Sequence, residues 1–282
     1  MVNGPDTSPD GRPTAESGAG EAATPQEGYY FDVERSPEAM RRLALLWGPP
    51  EPSARGRKPR FTLPQVVDAG LRVVAGGDLT ALTMRAVAQE LGVGTMSLYT
   101  YVPGRAELID LMIDRVYAEL DLPTGGMPWR AALAQYAREH YGLYLRHPWV
   151  LQTNLWRAPL APHVLDAQEC GLRILVEAGL PEPAAVQTVG LIGAVVQGVA
   201  RHAVAERMEQ EATGQGVGEY WDSLSSFWVD YFDAERYPTM LRVFLAGGFG
   251  DVVDPFEAPL EQLLHGVELA IDQAAAGGGE DT

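Results

Sequence analysis

The 282 residues are 46% hydrophobic and 21% charged, the composition of a globular protein able to bury one large core or two modest ones. A lone cysteine, Cys170, excludes an internal disulfide, and no Cys/His cluster has zinc-ligand spacing, so a reducing compartment such as the cytoplasm is expected. The formal net charge of −17 opposes nucleic-acid binding by the chain as a whole, because phosphates repel acidic surfaces.

Residues 1–28 are rich in Gly, Pro, Ser, Thr, Ala and Glu, with almost nothing to bury, and are predicted to form a disordered tail. They have neither the charged start nor the apolar run of a signal peptide. No stretch of about 18 uninterrupted apolar residues follows, so neither export nor a membrane partner is expected. An N-terminal extension over 29–54 contains Ser36-Pro37-Glu38, an N-cap with a first-turn proline and acid, leading into Met40, Leu43, Leu46 and Trp47 at helical spacing. Gly48-Pro49-Pro50 ends this short amphipathic helix. The basic arm ARGRKPR follows, and its Arg57 and Lys58 are candidate DNA contacts. They suit either a strand entering a minor groove or a solvated linker that attracts DNA by charge alone.

The distribution of charge points the other way from its total. Between Arg55 and Arg105 stand seven basic residues (Arg55, Arg57, Lys58, Arg60, Arg72, Arg85, Arg105) against three acidic ones (Asp68, Asp78, Glu90). A small basic module on an acidic body can face DNA with the first part while the second avoids non-specific contact. Within this module, over 55–120, four helices are predicted. Thr62 caps the first, with Val66, Val67, Gly70, Leu71, Val73 and Val74 inward, and Gly76-Gly77 ends it. Thr83 caps the second, which buries Val87, Ala88 and Leu91 and stops at Gly92. A very short third starts near Thr95 with Leu98 and Tyr99, and Arg105 opens a long fourth.

A helix-turn-helix requires a bracing helix, a tight turn with a glycine, and a second helix whose outward residues enter the major groove. Ala88 is small at the crossing, Gly92 permits the turn, and Val93 with Leu98 fills the gap. Thr95, Met96, Ser97, Thr100 and Tyr101 are left outward. The residues Thr83, Arg85, Val87, Ala88, Leu91, Gly92 and Val93, then Ser97, Leu98, Tyr99, Tyr101, Val102, Arg105 and Leu108, resemble the DNA-binding domain of the tetracycline-repressor (TetR) family across roughly fifty positions. The resemblance implies phosphate contacts by Arg85 and Arg105, a backbone contact by Tyr99 and Tyr101, and base readout by Thr95, Met96, Ser97 and Thr100. It further implies an inducer-binding, dimer-forming helical half.

The segment 121–275 is predicted to be that half, with helices near 129–146, 149–157, 162–179, 183–208, 218–233, 235–247 and 256–275, and a flexible tail at 276–282. The fold class is therefore all-α, a three-helix helix-turn-helix domain followed by a larger helical ligand-binding and dimerisation domain. One short recognition helix touches too few bases for genomic specificity, so a homodimer on a palindromic double-stranded operator is expected. Its interface is expected on Phe256, Leu260, Leu263, Leu264, Val267 and Ile271, and on Val186 to Val204, where Gly190, Gly193 and Gly198 allow close approach. Tyr136, Tyr144, Trp149, Trp156, Trp228 and Phe232 are candidate contacts for a flat small-molecule inducer.

No Ser/His/Asp set, paired carboxylates or phosphate-cradling loop stands out, and His140 and His147, two helical turns apart, are too distant to share an ion. No catalysis, metal or cofactor is expected. The leading expectation is a repressor released by its ligand. An activator or ligand-independent regulator fits the same residues, and an enzyme with a borrowed DNA-binding head is the third reading.

Overall fold

A computed structural model describes residues 36–48, 60–249 and 254–277; the expected tail at 1–28, the pair Arg57 and Lys58, and residues 278–282 lie outside the described residues. Twelve α-helices are described: α1 (Pro37–Trp47), α2 (Leu63–Val73), α3 (Met84–Glu90), α4 (Thr95–Leu98), α5 (Arg105–Tyr117), α6 (Trp129–Arg146), α7 (Pro162–Glu177), α8 (Glu182–Thr213), α9 (Val217–Ser223), α10 (Ser226–Asp230), α11 (Pro238–Leu245) and α12 (Glu257–Gly277). No strand occurs among the described residues.

The caps read from sequence are present. The Thr62 hydroxyl accepts from the Gln65 backbone N–H, and the Gln65 side chain accepts in return from the Thr62 N–H, closing a capping box. Thr83 accepts from the Ala86 N–H at 3.0 Å. These caps pair backbone donors that would otherwise be orphaned at each helix start.

The core runs without a break from Val66 on α2 to Val267 on α12. Near residue 120, where a divide is expected from sequence, the packing is continuous: α5 packs on both α2 and α7. At the α2 crossing, a Cβ on Gly70 would stand 2.8 Å from the Met112 sulfur, so any larger residue there would oblige the Met112 side chain to move. Four further bonds bridge the two halves. The Gln152 amide donates to the Gly77 carbonyl at 2.6 Å, its oxygen accepts from the Leu79 N–H at 3.0 Å, and Asp114 holds both the backbone N–H and Nδ1 of His163.

Helix boundaries differ from expectation where chemistry at the ends outweighs periodicity. α8 continues to Thr213, because Glu, Gln, Arg and Met propagate a helix well, until Gly214 at φ 72° terminates it. It is the one described helix long and apolar enough to cross a membrane. Here Ala185, Val189, Ile192, Val196, Ala200 and Val204 form a buried stripe on α8, which packs against α6 and α7. The helix expected at 149–157 is instead two 3-10 turns, Pro148–Gln152 and Leu155–Arg157, with the Asn154 side chain capping the second. The 218–233 helix is broken into α9 and α10, and α12 extends two residues into the expected tail.

α1 is fastened to the body. Arg42 Nε donates to Asp110, a buried carboxylate on α5, and the Trp47 indole N–H donates to the Leu160 carbonyl at 2.7 Å. Arg42→Ala leaves Asp110 buried and unpaired, and is expected to lower stability by about 1–2 kcal/mol, discounted for the half-exposed arginine. Urea unfolding checks this, with Arg42→Lys expected to lose less.

Candidate nucleic-acid interface and helical cavity

Gly92 adopts φ 65°, the left-handed conformation that lets the chain reverse between α3 and α4 without a Cβ clash. Leu98 is fully buried beneath α4, in the same core as Val87, Ala88 and Val102, and the rest of that helix is exposed or half-buried. Met96 is 79% and Tyr99 45% exposed, Ser97 and Thr100 are exposed, and Thr95 is half-buried. The Thr100 hydroxyl donates to the Ser97 carbonyl at 2.7 Å, so its donor is spent and its lone pairs face out. Arg85 is exposed and has no carboxylate partner among the described residues.

Tyr101 and Arg105 also hold neighbouring segments of the chain together. The Tyr101 hydroxyl accepts from the Phe61 N–H at 3.2 Å, fixing the start of α2 beside α4. Arg105 donates from Nε to the Leu82 carbonyl at 2.7 Å and from Nη2 to the Leu79 carbonyl at 2.8 Å. Two of its three nitrogens thus brace the 79–82 turn. Beside α4 lies an open groove of about 900 Å³, lined by Arg60, Gln89, Ser97, Thr100 and Tyr101 among others. Gln89, a neutral long side chain on α3, was not singled out from sequence because only its neighbours reveal that it borders this groove.

In the helical half a second cavity of about 350 Å³ lies among α5, α6, α7 and α8. Of the six aromatic candidates, Tyr136, Tyr144 and Trp156 line it, and Trp156 is 89% exposed at its rim. Trp149 does not; it is packed into the core from the first 3-10 turn. Trp228 and Phe232 are not in the lining either: Trp228 stacks on Phe244 and Phe232 packs on Tyr237, in an aromatic cluster around α10 and α11. The cavity also takes in Tyr117, His140, Gln168 and Gln197, which sequence reading did not bring together. Polar side chains on helices that are otherwise apolar were the available signal.

Tyr136 fits against α7 because Gly171 offers no Cβ; one would stand 3.0 Å from the ring. Burial raises the Tyr117, Tyr136 and Tyr144 phenols, keeping all three neutral. His140 Nδ1 lies 2.8 Å from the Tyr136 carbonyl, while His147 pairs with Glu119 at 2.9 Å, so the two histidines serve different partners. Burial holds the His140 imidazole below its ordinary value, against the opposing pull of that carbonyl and of Glu139. The unfolded chain then binds this proton more readily than the folded one. Stability from His140 is accordingly full above about pH 6.5 and is lost as the pH falls through the depressed folded value. Thermal melts from neutral to mildly acidic pH check this, with His140→Gln expected to flatten the decline.

The expected dimer stripe on α12 needs revision. Phe256, Leu260, Leu264 and Val267 are buried within this chain, with Phe256 stacked on Tyr141 at 4.1 Å. Leu269 on the opposite face is exposed, as are Val186 and Leu191 on α8.

A profile of the tetracyclin repressor-like C-terminal domain matches residues 122–271. The chain is 38% identical over 244 residues to the HTH-type transcriptional repressor DrrR1 of Streptomyces coeruleorubidus, spanning 86% of this chain and 90% of the relative. Apo ActR of Streptomyces coelicolor superposes with a TM-score of 0.63 at 27% identity, covering 78% of this chain and all of that one. ActR in complex with actinorhodin superposes with a TM-score of 0.62 at 25% identity, covering 79% and 99%. With a helix-turn-helix presented outward and a matching C-terminal half, the chain belongs to the tetracycline-repressor family of transcriptional regulators.

Proposed function

We propose that this regulator is a cytoplasmic homodimer that represses transcription at a palindromic operator and lets go of DNA when a small molecule occupies the 350 Å³ cavity. The observation that carries the reading is the outward helix α4, held on buried Leu98 with Met96, Ser97, Tyr99 and Thr100 accessible. In this reading Thr95, Met96, Ser97 and Thr100 meet base edges, Tyr99 and Arg85 meet the sugar-phosphate backbone, and Arg105 acts through the turn that it braces. The outward apolar residues Val186 and Leu191 of α8 and Leu269 of α12 support a helical seam between two copies.

Ligand control follows from the cavity's walls. α5 lines it through Tyr117 and belongs with α2 in the DNA-binding core, so an occupant that displaces α5 alters how α4 is presented. A ligand releases DNA only insofar as it prefers the non-binding arrangement. The likeness to ActR, crystallised with actinorhodin, supports a response to a small molecule. Footprinting on the gene's own promoter with a reporter fused to it tests the reading. Protection accompanied by reporter output several-fold below that of a deletion strain is expected. Output that rises with the protein present assigns activation instead.

A further inference from the structure

We propose that the cavity selects an uncharged, planar aromatic molecule that donates a hydrogen bond, from a phenol or comparable hydroxyl, to Nε2 of His140. This rests on the reading of the cavity as the ligand site.

The first support is what the lining lacks. Among the described residues, no Asp, Glu, Lys or Arg contributes to the wall. A carboxylate entering there would leave water without a cation to meet it, and an ammonium would find no carboxylate; either loses far more solvation than a neutral molecule does. The second support is the histidine's tautomer. A carbonyl oxygen can only accept, so the 2.8 Å contact with Tyr136 places the hydrogen on Nδ1. With the ring neutral, Nε2 is left as a lone-pair acceptor. It has no protein partner among the described residues, and none of their buried side-chain nitrogens or oxygens is left unsatisfied, so Nε2 is accessible in the cavity that His140 lines.

The remaining polar groups fit the same occupant. The Tyr117 and Tyr144 hydroxyls lie 3.4 Å apart, so one donates to the other and the acceptor's own O–H stays free to donate. The Tyr136 hydroxyl has no such partner among the described residues and can donate to a carbonyl or ether on the ligand. The lining also includes the small residues Gly190, Gly193 and Ala194 of α8 and Ala167 of α7. A wall that combines aromatic rings with small residues suits a flat molecule, whose ring faces bury area at little entropic cost.

The test uses three matched tricyclic probes: phenanthrol, its methyl ether and phenanthrene carboxylate, titrated calorimetrically into the full chain at neutral pH. Phenanthrol is expected to bind at least about tenfold more tightly than either of the others. His140→Phe is expected to bring the phenanthrol-to-ether ratio below about threefold. Because a buried substitution can disturb folding, the wild type labelled with nitrogen-15 histidine gives an independent reading: His140 Nε2 should shift with phenanthrol and not with the ether.

Gly193→Leu separates this proposal from the one on which it rests. A Cβ at Gly193 meets only the Gln197 amide, at 3.8 Å, so the added side chain fills the cavity without displacing backbone. Equal affinity for phenanthrol and its ether, both blocked by Gly193→Leu, overturns the donor assignment and leaves the cavity as the ligand site. Probe binding indifferent to Gly193→Leu overturns the cavity reading itself. Preference for the carboxylate overturns the selection against charge.

Discussion

Leu98→Ala is expected to cost about 2–5 kcal/mol of stability and to abolish specific DNA binding. Leu98 is fully buried although it ends a helix of only four residues. So short a helix cannot hold itself together by backbone hydrogen bonds, since helix nucleation is unfavourable and each turn adds little. Its orientation therefore depends on this one apolar anchor and on the Val102 N–H and Tyr101 N–H, both of which return to the Leu98 carbonyl. Truncation to alanine leaves a void in the core beneath α4 and frees that helix to roll. Urea denaturation gives the stability loss and a gel-shift assay the DNA loss. Stability lowered without loss of binding would show that α4 is held by something other than its plug.

Tyr99→Ala is expected to have the opposite profile: unchanged stability, with affinity for every DNA sequence reduced about tenfold. At 45% exposed the ring contributes little to the core. Its place at the end of α4, beside the outward Ser97 and Thr100, sets the phenol where a sugar-phosphate backbone would pass. Substitutions at Thr95 or Ser97 are expected instead to change which operator bases are preferred, because groups that meet base edges carry sequence information and backbone contacts do not. Competition gel shifts with specific and scrambled duplexes separate the two outcomes. A Tyr99→Ala protein that discriminates poorly yet binds random DNA normally would move Tyr99 to the base-reading set.

Much of the fold was legible in the order of residues. Thr62, Thr83 and Gly92 announce helix starts and a turn through short-range chemistry, and short-range chemistry is what sequence displays best. The all-α class and the positions of α2 to α7 followed for the same reason, apart from 149–157, where Pro148 and Asn154 favour tight 3-10 turns over an α-helix. Contacts between distant segments were less legible. Nothing local to Arg105 reveals that the carbonyls of Leu79 and Leu82 lie within its reach, and nothing local to α12 says whether its apolar stripe faces its own α6 or a second copy. The aromatic candidates divided similarly. Tyr136, Tyr144 and Trp156 share a cavity only because α6 and the 155–157 turn converge, whereas Trp228 and Phe232 belong to a segment that contributes no buried residue to this chain's core.

The most direct test of the account is to select bound fragments from genomic DNA with the purified chain, then measure footprint and stoichiometry on the best of them. Two protected half-sites about one helical turn apart, occupied by two chains, are the predicted result. Protection of a single half-site by one chain, or binding without sequence preference at moderate salt, would contradict it.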